Sequence, residues 1–592
     1  MDFSQRKTPA RLASPAARKL PRKFLFWFML AYIVAGLFGR NPWKTDDIAG
    51  MAAMVAAADQ GNWATSYISM IPYTEHGPLT SIIGGIFITI FAPLFEFFSS
   101  PIEAQILASR LPNFLYFFGM LWGVWYGTYV LARRDEAQPL PLPFGGEPNP
   151  RDYGRMIADV AFFFMLAAVG IVIRTHETSF YPLLMCIHAI AFYGFAQLLN
   201  HPTQGSLVIG TMMSAAFMTR GFVGLTPLLI ATLALFVGRV YTFRLKVFLF
   251  ISLVLAVLLS VVWIASAHDL DPGWVNIWWS EQLQSFALPS ITDTLTNIRN
   301  LAWFLWPAWP FALLALWNWR KWFDAPHIFI PACLVLANLL LILFKFDAFE
   351  AEYGPLTIAT AVLAAMSMPT LKRSVINLLD WYSIMVVSLG LLTIWVGWSA
   401  LYVGIPPQIH HNIMRLIPGF EPTISWVAVA AGVVVCFFWY KIAAWRLTAN
   451  PKARWRGIIL SAAGTILSWL LLSLLWLPAI DYNRSYRDVG ESLAQALEDI
   501  NPDYKCITTV SMGQGQSAAF AVFGHIRLSE LNHCPYSLLQ TRIDSAGNLG
   551  SAYKGKILWQ GQRRSERHGE IFLLLANDDD SAFSAKPSPS HK

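Results

Sequence analysis

Long apolar runs, broken by short polar stretches, dominate the chain up to about residue 480. Runs long enough to cross a bilayer, or nearly so, begin near residues 24, 79, 107, 156, 179, 205, 224, 247, 301, 327, 355, 379, 424 and 457. A run of about 20 apolar residues spans hydrocarbon as a helix, because a helix closes its backbone hydrogen bonds within itself. The pattern then changes. Residues 487–500 place apolar side chains at helical spacing on an otherwise polar segment, which predicts an amphipathic helix. Short apolar runs follow, CITTV, AAFAVFGHIRL, KILWQ and EIFLLLA, separated by turn-like stretches. They predict a small α/β domain. The expected organisation is a basic tail over 1–23, an all-α polytopic membrane domain over 24–479, an α/β domain over 480–576 and a disordered polar tail over 577–592.

Composition supports this class. Of 592 residues, 55% are hydrophobic and only 13% charged, with 25 Trp and 41 Phe, which excludes an ordinary soluble globular protein. The formal net charge of +7 is not a nucleic-acid signal, because the basic residues sit in short stretches between apolar runs. Cys186, Cys333 and Cys436 fall inside apolar runs, as small core residues do. Cys506 and Cys534 fall in the polar C-terminal region and can pair if that region is oxidised. The stretch GQGQSAAF at 513–520 lacks the lysine of a phosphate-binding P-loop.

Charge sets the expected orientation. The basic N-terminal tail belongs inside, with the first apolar run kept as an uncleaved span. If the run at 79–98 also spans, the loop with Arg133, Arg134, Arg151 and Arg155 faces outward, against the positive-inside rule. Laying that run along the outer surface as a juxtamembrane helix puts the basic loops inside. The expectation is about thirteen spans, with the C-terminal domain outside. The outward loops then hold most of the unusual polar residues, including Asp46, Asp47, Tyr73, Glu75, His76, His176, Glu177, Arg220 and Glu281. His410 and His411 also face outward, but adjacent histidines seldom chelate one metal, and a solvated loop accounts for them.

The first outer loop carries the densest pattern: RNPWKTDD, an Ala/Met-rich helix, GNW, and then Tyr73-x-Glu75-His76-Gly-Pro-Leu. This order resembles the polyprenyl-phosphate-dependent glycosyltransferases of the GT-C class. It is most similar to bacterial protein-mannosyltransferase-like proteins and the lipid A aminoarabinose transferases. Their first loop reads R-x-P-W-x-x-D-E, G-D-W and Y-x-E-K-P-P-L. The resemblance continues through SRLP (109–112), RTHETSF (174–180), MTRGFVGLTPLL (218–229), WVNIWWSEQLQSF (274–286), WPAWPFALLAL (306–316) and AEYGPLTIATAVLAA (351–365). It covers roughly residues 24–370. Departures are specific. His76 stands where a Lys is usual, Glu177 where an Asp is usual, and FKFDAFEAEY is acidic where the family is Lys-rich. They point to a different sugar or acceptor from those of the best-known relatives.

The resemblance implies a membrane glycosyltransferase with a GT-C fold in the bacterial inner membrane, its C-terminal domain periplasmic. It moves a sugar from a polyprenyl-phosphate donor to a lipid A, glycan or protein acceptor, with membrane lipids as its surroundings and no nucleic-acid partner. An outward-facing site also excludes cytoplasmic nucleotide sugars as donors. Asp46 matches the family's catalytic acid. An ionised carboxylate can take the acceptor's proton, and cations must stabilise the departing phosphate. Asp47 beside it either holds one pKa up or shares a divalent cation with it. The plain alternative for the pair is a helix cap with a first-turn acid. Arg220 and His76 are candidate phosphate ligands. Tyr73, Glu75, His176, Glu177, Glu281 and Tyr353 are candidate substrate contacts. A transporter of lipid-linked glycans is the competing class. It predicts internal halves and midplane charges, whereas the polar residues here collect on one face and no repeat is visible.

Overall fold

The computed structural model describes residues 8–12, 14, 17, 21–43, 45–141, 145–448, 457–530, 534–542, 556–566 and 569–577. The disordered tail expected over 577–592 lies outside them apart from Asn577, as does much of the basic tail over 1–23. Within that tail, residues 10–11 pair with the body of the protein. The Arg11 amide donates to the Pro369 carbonyl at 3.0 Å, and the Leu140 amide to that of Ala10 at 3.0 Å.

The chain is mostly helical and is a multi-pass membrane protein. Among the described residues, eight helices are long and apolar enough to cross a membrane. That is fewer than the expected thirteen. Arg22–Val34 and Ala308–Asn318 are short, and Pro150–Ala167 carries charge in its first turns. The run near residue 301 divides at Pro307 into Ile291–Phe304 and Ala308–Asn318, since proline supplies no amide hydrogen to continue a helix. The runs near 205 and 224 form the single helical segment Pro202–Val237, whose backbone leaves helical geometry at Arg220 and Gly221. Gly221 takes φ +57°, a conformation open to glycine. The segment folds back there. Thr232 Oγ1 lies 4.0 Å from Met213 Sδ, whereas 19 residues of straight helix would separate them by roughly 28 Å. Arg220 is thereby set at the tip of a helical hairpin.

The largest core joins Arg22–Val34, Pro101–Ala132, Pro150–Ala167, Phe180–Gln197, the hairpin, Ala308–Asn318 and Glu350–Ser367. A smaller core joins Arg373–Val403, Trp426–Thr448 and Gly457–Arg484. The last of these helices runs through the expected domain boundary at 479/480.

The C-terminal unit is α/β. Helix Arg487–Ile500 is followed by a five-stranded sheet in the order Leu528–Ser529, Ile507–Val510, Tyr536–Arg542, Glu570–Ala576, Ile557–Gly561. The first three strands run parallel and the last two pairings are antiparallel. The run AAFAVFGHIRL divides into helix Gln514–Phe523 and strand Leu528–Ser529. Strand Tyr536–Arg542 escapes the hydropathy reading because it mixes Ser, Gln, Thr and Arg into its sequence. Cys506 and Cys534 form a disulfide across 28 residues. Closing such a loop stabilises by about 3–4 kcal/mol on chain-entropy grounds. Replacing both cysteines by serine should therefore lower this unit's stability by that order, read as faster amide exchange in its central strands.

Candidate active site

The site is built on the segment that follows the first apolar helix. Asp46 and Asp47 open helix Asp46–Gln60, an Ala/Met-rich segment ended by Gly61 at φ +65°. The two acids occupy different environments, because successive helical residues point about 100° apart.

Asp47 is buried and fully engaged. It accepts from Arg40 Nη1 at 2.5 Å, the Trp43 amide at 3.1 Å, and the Thr178 amide and hydroxyl at 2.7 Å each. Burial pushes its pKa up, but Arg40, Arg110 and the hydrogen bonds outweigh it and hold the carboxyl below its usual range. Arg40 also donates to the His176 carbonyl at 2.8 Å, and Arg110 to that of Arg40 at 2.8 Å. Asp481 completes the brace, accepting from the Asn41 amide, the Asn41 side chain and Trp43 Nε1 at 2.9 Å each. The RNPW segment is thus a structural clamp. It leaves Asp47 no free oxygen lone pairs facing Asp46, so the two acids do not suit a shared divalent cation. Among the described residues, no three His, Cys, Asp or Glu side chains gather as metal ligands.

Asp46 faces a cavity of about 660 Å³ lined also by Arg174, Glu177, Trp303, Glu350 and Arg484. Burial raises its pKa, aided by Glu75 and opposed by Arg174 and Arg220. Arg174 is the hub of this wall. Its Nη1 lies 3.9 Å from Asp46 and 3.0 Å from Glu177, and its Nη2 lies 2.8 Å from Glu350. Burial pushes Glu177 up to about 8 against the pull of Arg174.

A second cluster adjoins Asp46 on its other side. Arg220 is buried and stacks on the Phe180 ring at 4.4 Å. It meets Glu75 at 3.3 Å, Glu352 at 3.2 Å and the imidazole of His76. His76 is held neutral, since burial first and Arg220 second push its pKa well below the usual value. It therefore accepts from Arg220 instead of presenting a charge. Tyr73 packs edge-on against His76 with ring centres 5.2 Å apart, and burial raises its pKa well above the usual value.

The structure thus gathers Asp46, Tyr73, Glu75, His76, Glu177 and Arg220. It leaves Asp47, His176 and Tyr353 elsewhere and sets Glu281 at the outer edge of the second cluster, beside Thr74 and Glu75. Asp47 is in the clamp. His176 is buried between the carbonyls of Val172 and Tyr32, and burial lowers its pKa to about 4. Tyr353 is buried behind the wall, its hydroxyl donating to Asn297 at 2.5 Å. Glu281 is exposed on helix Pro272–Gln284, while its neighbour Gln282 turns inward and donates to the Glu75 carbonyl at 3.4 Å. His410 and His411 lie on helix Pro407–Leu416, which buries no residue. Sequence reasoning passed over Arg174 as a site residue. The available signal was its place beside Glu177 in RTHETSF. It also left the acids of FKFDAFEAEY without partners. Glu350 pairs with Arg174 and Glu352 with Arg220.

Fold and site together define a multi-pass helical membrane protein with a charged cavity among its helices and an appended α/β unit. Two solved structures share the fold. Both are of ArnT from Cupriavidus metallidurans. The form bound to undecaprenyl phosphate aligns with TM-score 0.64 and 15% identity over 94% of this chain and 98% of that one. The apo form aligns with TM-score 0.63 and 14% identity over 93% and 98%. In sequence, the chain is 26% identical over 234 residues to the undecaprenyl phosphate-alpha-4-amino-4-deoxy-L-arabinose arabinosyl transferase of Yersinia enterocolitica. That match spans 35% of this chain and 40% of the relative's length. No protein-family model matches.

Proposed function

We propose that the protein is a membrane glycosyltransferase that moves a sugar from a polyprenyl-phosphate donor to a hydroxyl of an envelope lipid, glycan or protein. The observation that carries this reading is Asp46, a carboxylate on a cavity wall flanked by Arg174 and Arg220. It stands in a chain that folds along nearly its whole length like a protein solved with undecaprenyl phosphate. Asp46 takes the acceptor's proton as the acceptor oxygen bonds to the sugar's anomeric carbon. The bond from that carbon to phosphate oxygen breaks, and polyprenyl phosphate leaves with the electron pair. Arg174 and Arg484, which line the cavity, stabilise the charge on the departing phosphate. Tyr73 and Glu75 orient a substrate hydroxyl. Asp47, His76 and His176 position these groups. An apolar groove of about 310 Å³ between Leu305, Trp309, Leu339 and Leu363 shares helix Ile291–Phe304 with the cavity and suits a polyprenyl chain. In this reading the site lies on the outer side of the bacterial inner membrane, with the C-terminal unit in the periplasm, opposite the side to which the positive-inside rule assigns the basic loops. The transporter reading gains nothing from the comparisons, whose named relative is a transferase.

The test uses the purified full chain with a panel of undecaprenyl-phosphate sugars and envelope lipids, and mass spectrometry of the products. Release of undecaprenyl phosphate together with a sugar-bearing acceptor is the expected result. Absence of both across the panel would sink the reading. In the same assay Arg174→Gln should raise the KM for donor by about tenfold to a hundredfold, the worth of one charge-assisted hydrogen bond.

A further inference from the structure

The helix that carries Asp46 is held at both ends, and the far end is held by the C-terminal unit. At the near end the Asp47 clamp ties it to Arg40 and Thr178. At the far end its last residue, Gln60, donates to the Ser69 carbonyl at 2.7 Å. Ser69 sits between the two short strands Tyr67–Ile68 and Ile71–Pro72, with φ +56°. Its hydroxyl donates to the Ile526 carbonyl at 3.3 Å and accepts from the Leu528 amide at 2.9 Å. The next amide, of Met70, donates to the Leu528 carbonyl at 3.1 Å. The hairpin therefore docks on the edge strand of the C-terminal sheet and uses backbone groups that an open edge would leave unpaired.

The faces behind this latch are shared too. Ile48, Met51, Ala52 and Val55 of the Asp46 helix lie in one apolar core with Phe520, Val522 and Phe523 of the C-terminal unit. The hairpin's other side is fixed to the bundle. Trp274 Nε1 donates to the Ser66 carbonyl at 2.9 Å, and Trp263 Nε1 to that of Ala64 at 3.0 Å. The hairpin leads straight into Tyr73, Glu75 and His76. Ser69 thus joins the end of the Asp46 helix, the strand that feeds the second cluster and the C-terminal sheet.

We propose that Ser69 is a positioning residue, and that through it the C-terminal unit sets the placement of Asp46 and of the Tyr73–His76 segment. This rests on the proposed transferase reading for its kinetic consequence but not for its structural one. The unit would then serve turnover and not substrate binding alone, since a misplacement of about 1 Å can cost a hundredfold in rate.

The test uses full-length protein. Ser69→Gly keeps the left-handed backbone and deletes the hydroxyl. Ser69→Asn also tolerates that backbone and restores a donor and an acceptor. The expected result for Ser69→Gly is a kcat at least tenfold lower with KM within twofold, and faster amide exchange confined to residues 61–77. The thermal midpoint should stay unchanged, and Ser69→Asn should recover most of the rate. Unchanged kcat and exchange in Ser69→Gly would overturn the proposal. So would a loss of rate matched by a loss of global stability, or one that Ser69→Asn leaves in place. The exchange arm needs no turnover, so failure of this latch and failure of the transferase reading are told apart.

Discussion

Asp46→Asn should cut turnover by about 10²- to 10⁴-fold, the usual contribution of a positioned general base. Asparagine keeps the shape of the side chain and cannot accept the acceptor's proton. The change should cost little stability, because the ion pair that Asp46 makes among the described residues, with Arg174, is a long one at 3.9 Å. The measurement is sugar transfer from a radiolabelled polyprenyl-phosphate donor, beside a thermal melt of the same sample. Near-normal turnover with normal folding would remove Asp46 from the chemistry. The pH profile gives a second check. Burial raises the Asp46 pKa, with Glu75 adding to it. The base form exists above that pKa, so the rate should fall on the acid side at a higher pH than an ordinary carboxylate would dictate.

Asp47 should behave in the opposite way. Asp47→Ala leaves Arg40 buried beside Arg110 without its carboxylate, and it strips the Thr178 and Trp43 amides of their acceptor. Breaking a buried ion pair from one side costs about 3–5 kcal/mol. The expected result is therefore a large drop in the thermal midpoint and poor yield of folded protein. Asp47→Asn should cost less than Ala, since it keeps the side chain's shape and one acceptor oxygen, but its amide nitrogen cannot accept from the donors that the other oxygen serves. The sign with pH follows from the direction of the shift. The folded-state pKa is lowered, so the stabilisation is fully present above the unfolded value of about 3.9 and is lost as pH falls through the folded value. Melting at descending pH, with Asp47→Asn as reference, reads this directly. A profile identical to the variant's would show that Asp47 carries no such linkage.

The acid pair shows how far the sequence reached. Its place after an apolar run, before an Ala/Met-rich helix, marked it as chemistry or capping. What separated the two residues was rotation about the helix axis against neighbours far along the chain. Thr178 lies 131 residues from Asp47, and Arg40 meets it only because the intervening loop folds back. The same holds for His76. Read alone, a histidine where a Lys is usual suggests a weak phosphate clamp. Packed against Arg220, Phe180 and Tyr73, it becomes a neutral acceptor that holds an arginine in place. Tyr353 and His176 are candidate contacts in sequence and are both buried in the fold, because burial is set by which helices adjoin and not by spacing.

The sequence by itself determined the class of protein. Hydropathy alone demands helices in a bilayer, because an apolar run there has nowhere else to satisfy its backbone. It also determined the two-part organisation and the loop that bears the acids. Only the tertiary structure decided which acid faces the cavity, that Arg174 and Arg484 line it beside that acid, and that Glu350 pairs with Arg174 and Glu352 with Arg220. Those assignments depend on Coulomb and hydrogen-bond partners brought together over a hundred or more residues, and no local pattern records such distances.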